Sequence, residues 1–472
     1  MKKTYALVFL SVICSMSASA QKITLKKGEI IENLPVNDSL SSTFSLFLPS
    51  NFTTDRQWPL LVVFDMEGKE RQALSMFLIS AEKEGYVLAA PKVLDSVSIT
   101  NNMVTTLGTI ESVVGMLPIK NERIYTAGTA SGGRFASLTP TFIKGIKGVM
   151  TISASLANTE LLSSRQSFHF IGMVNRNNYN YPTLLADEKL LDTYKFPNHI
   201  LLFDGSNEWP TNDYLSKGMQ LFTLQAMGRK WIPKDSAYVE NAFKEDLEKV
   251  NTLKNSGKFI WAEQYLGEMM SMYGAHKNLD SLRLVQKELR RNKQFRAMRR
   301  EEQAAFLKES LLKQDYQYYM EEDMLTYNFN NLGWWNYQMT EINKFVSSAN
   351  TFEVEMGNRL LGFVNALAAD NIQMVLSNEM VDEDALAFLY MLKTLLEPEN
   401  FDFYLKTVSL SAKNEDFGTA LFYLEEALKK GFKDKDRLYG LEHTALFRIT
   451  PEFNTLVSKY LKDALYDTIE EE

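Results

Sequence analysis

Cysteine and histidine are nearly absent from this chain. One cysteine, Cys14, and four histidines occur in 472 residues. Cys14 lies in an N-terminal stretch with the pattern of a secretory signal peptide. Lys2 and Lys3 precede an apolar run from Tyr5 to Met16, and Ala18-Ser19-Ala20 supplies small residues before Gln21. Removal of residues 1–20 excludes a disulfide framework and a thiol nucleophile from the remainder, in a compartment that would oxidise thiols. Ile13 before Cys14 disfavours a lipid anchor. Basic excess is missing too. Loss of Lys2 and Lys3 leaves 49 basic residues against 59 acidic ones, which argues against nucleic-acid binding. No later segment is apolar for long enough to span a bilayer. No H-E-x-x-H or calcium-loop pattern occurs, so neither a metal nor another cofactor is expected.

What is present divides into two regions with different periods. From residue 21 to about 235, short apolar runs alternate with helical patterns. The runs are "FSLFLP" (44–49), "PLLVVFD" (59–65), "YVLAAP" (86–91), "RIYTAG" (123–128), "GVMTIS" (148–153), "HFIGMV" (169–174) and "HILLFDG" (199–205). Continuous apolar strands separated by helices predict a mostly parallel α/β sheet covered on both faces. From residue 236 to 472 the apolar spacing is three and four, which predicts an all-helical domain. Within it Tyr404, Ala420, Leu424 and Ala427 fall at tetratricopeptide-like spacings. A stack of such helices can present a groove to a protein partner.

The stretch "IYTAGTASGGRFAS" (124–137) has the outline of a strand, a tight turn and a helix. A nucleophile elbow reads G-x-S-x-G, and Gly128-Thr129-Ala130-Ser131-Gly132 keeps both glycines but puts alanine in the middle. Ser131, one residue on, is the fallback nucleophile. No base is evident: His169 and His199 open predicted strands, and His276 and His443 belong to the helical region. At the end of the last strand stands Asn207, which cannot take a proton near neutrality. The loop Asp65-Met66-Glu67-Gly68 reads as a solvated strand end, and its carboxylates would oppose an oxyanion nearby. The basic stretch "KELRRNKQFRAMRREE" (287–302) reads as a solvated helix, with Arg296, Arg299 and Arg300 on one face.

These motifs carry a likeness. "PLLVVFD", "RIYTAG…GGRFAS", "NYNYP" (178–182) and "FDGSNEWP" (203–210), with "ALFYLEEALKKGF" and "PEFNTLV" in the tail, resemble secreted bacterial esterases of the α/β-hydrolase fold with a tetratricopeptide-like tail. In active members the elbow reads like G-F-S-G-G-A-R, the last strand ends like G-G-H-E-W-P, and an acid precedes an F-N-Y segment. The resemblance puts the serine on Ala130, the histidine on Asn207 and the acid on Asn178, so all three triad positions are replaced. It therefore implies a non-catalytic, cell-envelope pseudo-hydrolase, most simply periplasmic, that acts as a protein-interaction scaffold through its helical domain. The alternatives are a secreted serine acyl hydrolase with an atypical site, and a glycan or small-ligand binder using the old pocket.

Overall fold

The computed structural model describes residues 25–37, 40–204 and 209–462. The proposed signal segment 1–20 and Asn207 lie outside the described residues. Eight strands form one sheet: β1 (Ile30–Asn37), β2 (Leu40–Phe47), β3 (Trp58–Phe64), β4 (Val87–Pro91), β5 (Ile119–Thr129), β6 (Ile146–Ile152), β7 (His169–Asn175) and β8 (Asn198–Phe203). Their order is β1-β2-β4-β3-β5-β6-β7-β8. β2 runs antiparallel to β1 and to β4, whereas β3, β4, β5 and β6 pair in parallel. Every residue of β3, β4 and β7 is buried, as continuous apolar strands between helices require. This is the expected mostly parallel α/β sheet followed by an all-helical region.

All seven expected strands are present. β1 carries no such signal in the sequence, because it is an edge strand of mixed polarity that contains Pro35. Its register with β2 slips twice, and Asn33 adopts φ 57°.

By internal contacts the described chain divides into two compact units. One comprises residues up to Ile152, with Leu156–Ile171 and Thr211–Trp231; the other comprises Ser153–Ser155, Gly172–Pro210 and everything from Ile232. The first holds α1 (Glu70–Glu84), α2 (Ile99–Met116), α3 (Ala130–Phe142) and α5 (Asn212–Gly228). Its core stacks Tyr125 on Phe222, with ring centroids 4.2 Å apart. Buried Arg123 donates to Thr223 at 2.9 Å and to the Tyr86 hydroxyl at 3.2 Å, so its desolvated charge has partners.

The second unit begins with α4 (Tyr181–Thr193), where Pro182 fits the first turn of the helix. From Ser236 it is helical: α6 (Ser236–Asn255), α7 (Phe259–Tyr273), α8 (Asp280–Arg291), α9 (Lys293–Thr326), α10 (Leu332–Val346), α11 (Thr351–Leu376), α12 (Glu383–Leu396), α13 (Phe401–Lys413), α14 (Phe417–Lys429), α15 (Lys435–Tyr439), α16 (Ala445–Arg448) and α17 (Pro451–Leu461). Side-chain caps fix many of the starts: Asp235, Asn292, Asn350, Asp382, Asn400 and Asp416 each accept a backbone N–H of the first turn. Tyr404, Ala420, Leu424 and Ala427 share one buried cluster with Phe447, Phe453 and Val457. Among the described residues no helix is long and apolar enough to cross a membrane.

Candidate functional site at the strand ends of the first unit

β3, β4 and β5 are neighbours and parallel, so their carboxyl ends open on the same edge of the sheet. Three segments meet the solvent there: the acidic loop after β3, the 92–98 loop after β4, and the turn from β5 into α3. Ligands of open α/β sheets gather on this edge.

The turn has the geometry of a nucleophile elbow. Thr129 is extended at φ −113°, and Ala130 then turns to φ 45°, a left-handed conformation that costs a non-glycine residue free energy. Two glycines make room for it. A Cβ on Gly128 would lie 2.4 Å from the backbone of Gly132, and one on Gly132 would lie 2.5 Å from the Phe64 carbonyl oxygen. Both glycines are thus required by close backbone approach. Ala130 presents only a methyl group at the apex, and it is exposed, as Ser131 is.

Ser131 has a partner the sequence did not disclose. Its hydroxyl lies near enough to the Asp95 carboxylate to act on it. Asp95 is placed by a small backbone framework. Its N–H donates to the Met66 carbonyl at 2.9 Å, and Glu67 and Leu94 form an antiparallel bridge between the two loops. Buried Asn102 of α2 braces the same loop by donating to the Leu94 carbonyl at 2.8 Å and to the Val97 carbonyl at 3.2 Å. Desolvation pushes the Asp95 carboxyl above its ordinary range. The Ser131 hydroxyl acts in the opposite direction, while the charges of Glu67 and Asp65 add to the rise. Asp65 is otherwise engaged: its carboxylate accepts the Glu67 N–H at 2.8 Å, and Glu67 pairs with Lys69. The site therefore sets a hydroxyl near a carboxylate of raised proton affinity. The helix N-terminus behind them leaves amides without intrahelical acceptors and the positive end of its dipole.

The remaining positions named from the sequence are placed elsewhere. Asn178 belongs to the second unit, where its Oδ1 accepts the Asn180 N–H at 2.9 Å and its carbonyl accepts the Tyr181 N–H at 3.0 Å. Those bonds shape the turn into α4. His199 is buried in the second unit against the Glu268 carboxylate, 2.8 Å from its Nδ1. Buried His169 sets its ring edge-on to Phe222, with centroids 5.4 Å apart. Among the described residues no group of three histidine, cysteine or acidic side chains is arranged to hold a metal ion.

No family model matches the chain, and no curated protein matches it in sequence. Among solved structures it is similar to an S-formylglutathione hydrolase from Staphylococcus aureus, at 11% identity over 42% of this chain and 99% of that one, with a TM-score of 0.33. It is similar also to the fluorophosphonate-binding serine hydrolase F of Staphylococcus aureus, at 12% identity over 42% and 99%, with a TM-score of 0.34. An inhibited esterase B from Lactobacillus rhamnosis is a third, at 12% identity over 49% and 99%, with a TM-score of 0.36. Identity this low speaks to fold alone. The expectation of a non-catalytic interaction scaffold is nonetheless corrected. The solved structures it is similar to are of esterases and serine hydrolases, and the turn that lost its apical hydroxyl has another, Ser131, at the next residue.

Proposed function

We propose that the protein is an acyl-ester hydrolase with an atypical site, in which Ser131 is the nucleophile and Asp95 its base. The observation that carries this reading is the placement of Ser131 and Asp95 at one edge of the sheet, beyond the carboxyl ends of β5 and β4, with the serine hydroxyl near enough to act on the carboxyl. A serine hydroxyl needs a neighbour to take its proton as Oγ attacks an acyl carbon. Asp95 takes that proton and returns it to the leaving alcohol; water then releases the acyl group by the same route. A carboxylate whose pKa is lifted is better matched to this task than an ordinary one. Amides at the start of α3 are the available donors to the developing oxyanion. Glu67 and Asp65 repel negative charge, so the favoured substrates are neutral esters and turnover is slow. In this reading the family's triad positions Ala130, Asn178 and Asn207 take no part in the chemistry. We propose further that the protein works outside the cytoplasm, on the strength of residues 1–20.

The test is hydrolysis of short neutral acyl esters by the purified protein, with Ser131→Ala and Asp95→Asn beside it. Turnover should fall to background in the first variant and at least a hundredfold in the second. Turnover that survives Ser131→Ala, or no turnover in the unmodified protein across acyl lengths, overturns the reading.

A further inference from the structure

The second unit buries a charged network with unequal sides. Arg176 of the loop after β7 donates through Nε to Glu355 at 3.0 Å and pairs with Glu302. Arg359 of α11 donates through Nε to Glu309 at 2.8 Å and through Nη1 to the Arg176 carbonyl at 2.8 Å. Arg299 reaches Glu302 at 2.7 Å, and Lys313 reaches Glu309 at 2.8 Å. Four cationic side chains thus share three carboxylates. Glu302 is divided between Arg176 and half-exposed Arg299, and at the other end Glu309 is divided between Arg359 and Lys313.

That end opens on a cavity of about 310 Å³ between α4 and α9. Pro182, Leu185 and Ala186 form one wall and Phe306 another, while Lys189, Ser310 and Lys313 supply the polar groups beside Glu309. Lys313 is largely buried, at 17% side-chain exposure. Its ammonium has three N–H groups, of which Glu309 and the Tyr179 carbonyl at 3.3 Å account for two. Burial depresses its pKa, and Arg359 adds to the fall, against the pull of Glu309. The third N–H of the ammonium remains for an acceptor bound in the cavity.

We propose that this cavity binds a small monocarboxylate with an apolar body, its carboxylate on Lys313 and Lys189 and its chain along Leu185, Ala186 and Phe306. Two ammoniums and one carboxylate line the cavity, so one added negative charge balances the lining and a multiply charged anion would exceed it. The apolar wall selects an acyl or aryl body over a hydrophilic one. This site is separate from the ester-hydrolysis reading and stands without it.

The experiment is calorimetric titration of the full chain with octanoate and, in parallel, with 1-octanol. Octanoate should bind at least tenfold more tightly than the alcohol, and binding should weaken as salt is raised. Lys313→Met should lower octanoate affinity at least tenfold. Ala186→Trp, which fills the cavity from its outer wall and leaves the ion pairs intact, should do the same with an unchanged melting temperature. Ser131→Ala should bind octanoate normally, so a failure of the hydrolase reading leaves this result in place. Equal affinity for acid and alcohol, absence of octanoate binding, or full binding by Ala186→Trp overturns the proposal.

Discussion

Glu188 of α4 gives a quantitative test of the second unit. Burial lifts its pKa from the ordinary 4.5 to about 7, with Glu268 and Asp192 adding like charge and Lys189 opposing them. Glu268 cannot swing away, because it accepts the Ile200 N–H at 3.2 Å and holds His199. The folded protein therefore keeps a proton that the unfolded chain releases, and stability is lost as pH rises from about 4.5 to about 7. At about 1.36 kcal/mol per pKa step the full effect is about 3 kcal/mol, and partial solvent access reduces it to roughly 1–2 kcal/mol. Glu188→Gln keeps the shape and removes the charge. Urea denaturation at pH 8 should show the variant more stable by roughly 1–2 kcal/mol, with no difference at pH 4. An equal gain at both pH values, or destabilisation at pH 8, would refute the reasoning.

Other consequences can be checked with single variants. Glu67→Gln removes a charge that raises the Asp95 pKa, so the acid limb of ester hydrolysis should move to lower pH. Gly132→Ala drives a methyl into the Phe64 carbonyl and should cost roughly 2–4 kcal/mol, read as a lower urea midpoint, and abolish turnover. Arg359→Met leaves Glu309 buried with Lys313 alone and should destabilise by about 3–5 kcal/mol at neutral pH. Asn102→Ala releases the loop that bears Asp95; kcat should fall about tenfold, with KM changed little, because only the base is displaced.

The sheet was legible because its strands are continuous apolar runs, each bounded by loops or helices. The elbow was legible because two glycines keep a spacing that only backbone crowding explains. The partner of Ser131 was not. Asp95 sits 36 residues upstream in a loop of unremarkable composition, and the two come to one edge of the sheet because β4 and β5 both run parallel to β3. The basic stretch 287–302 misled in part. Arg296 and Arg300 are exposed as expected, but Glu302 is buried against Arg176, 126 positions away in sequence. Burial of that kind has no local signature, since a glutamate at helical spacing looks the same whether it faces water or a distant guanidinium.

The alanine at the apex of the turn has a consequence for how this protein can change. Backbone crowding by Gly128, Gly132 and Phe64 fixes the conformation at residue 130, whichever side chain is attached there. The left-handed φ of 45° is already in place, so a serine would inherit it without rearrangement. Alanine and serine codons can differ by a single base. The apical hydroxyl is therefore one mutation away in either direction, and the main chain around it stays the same through both.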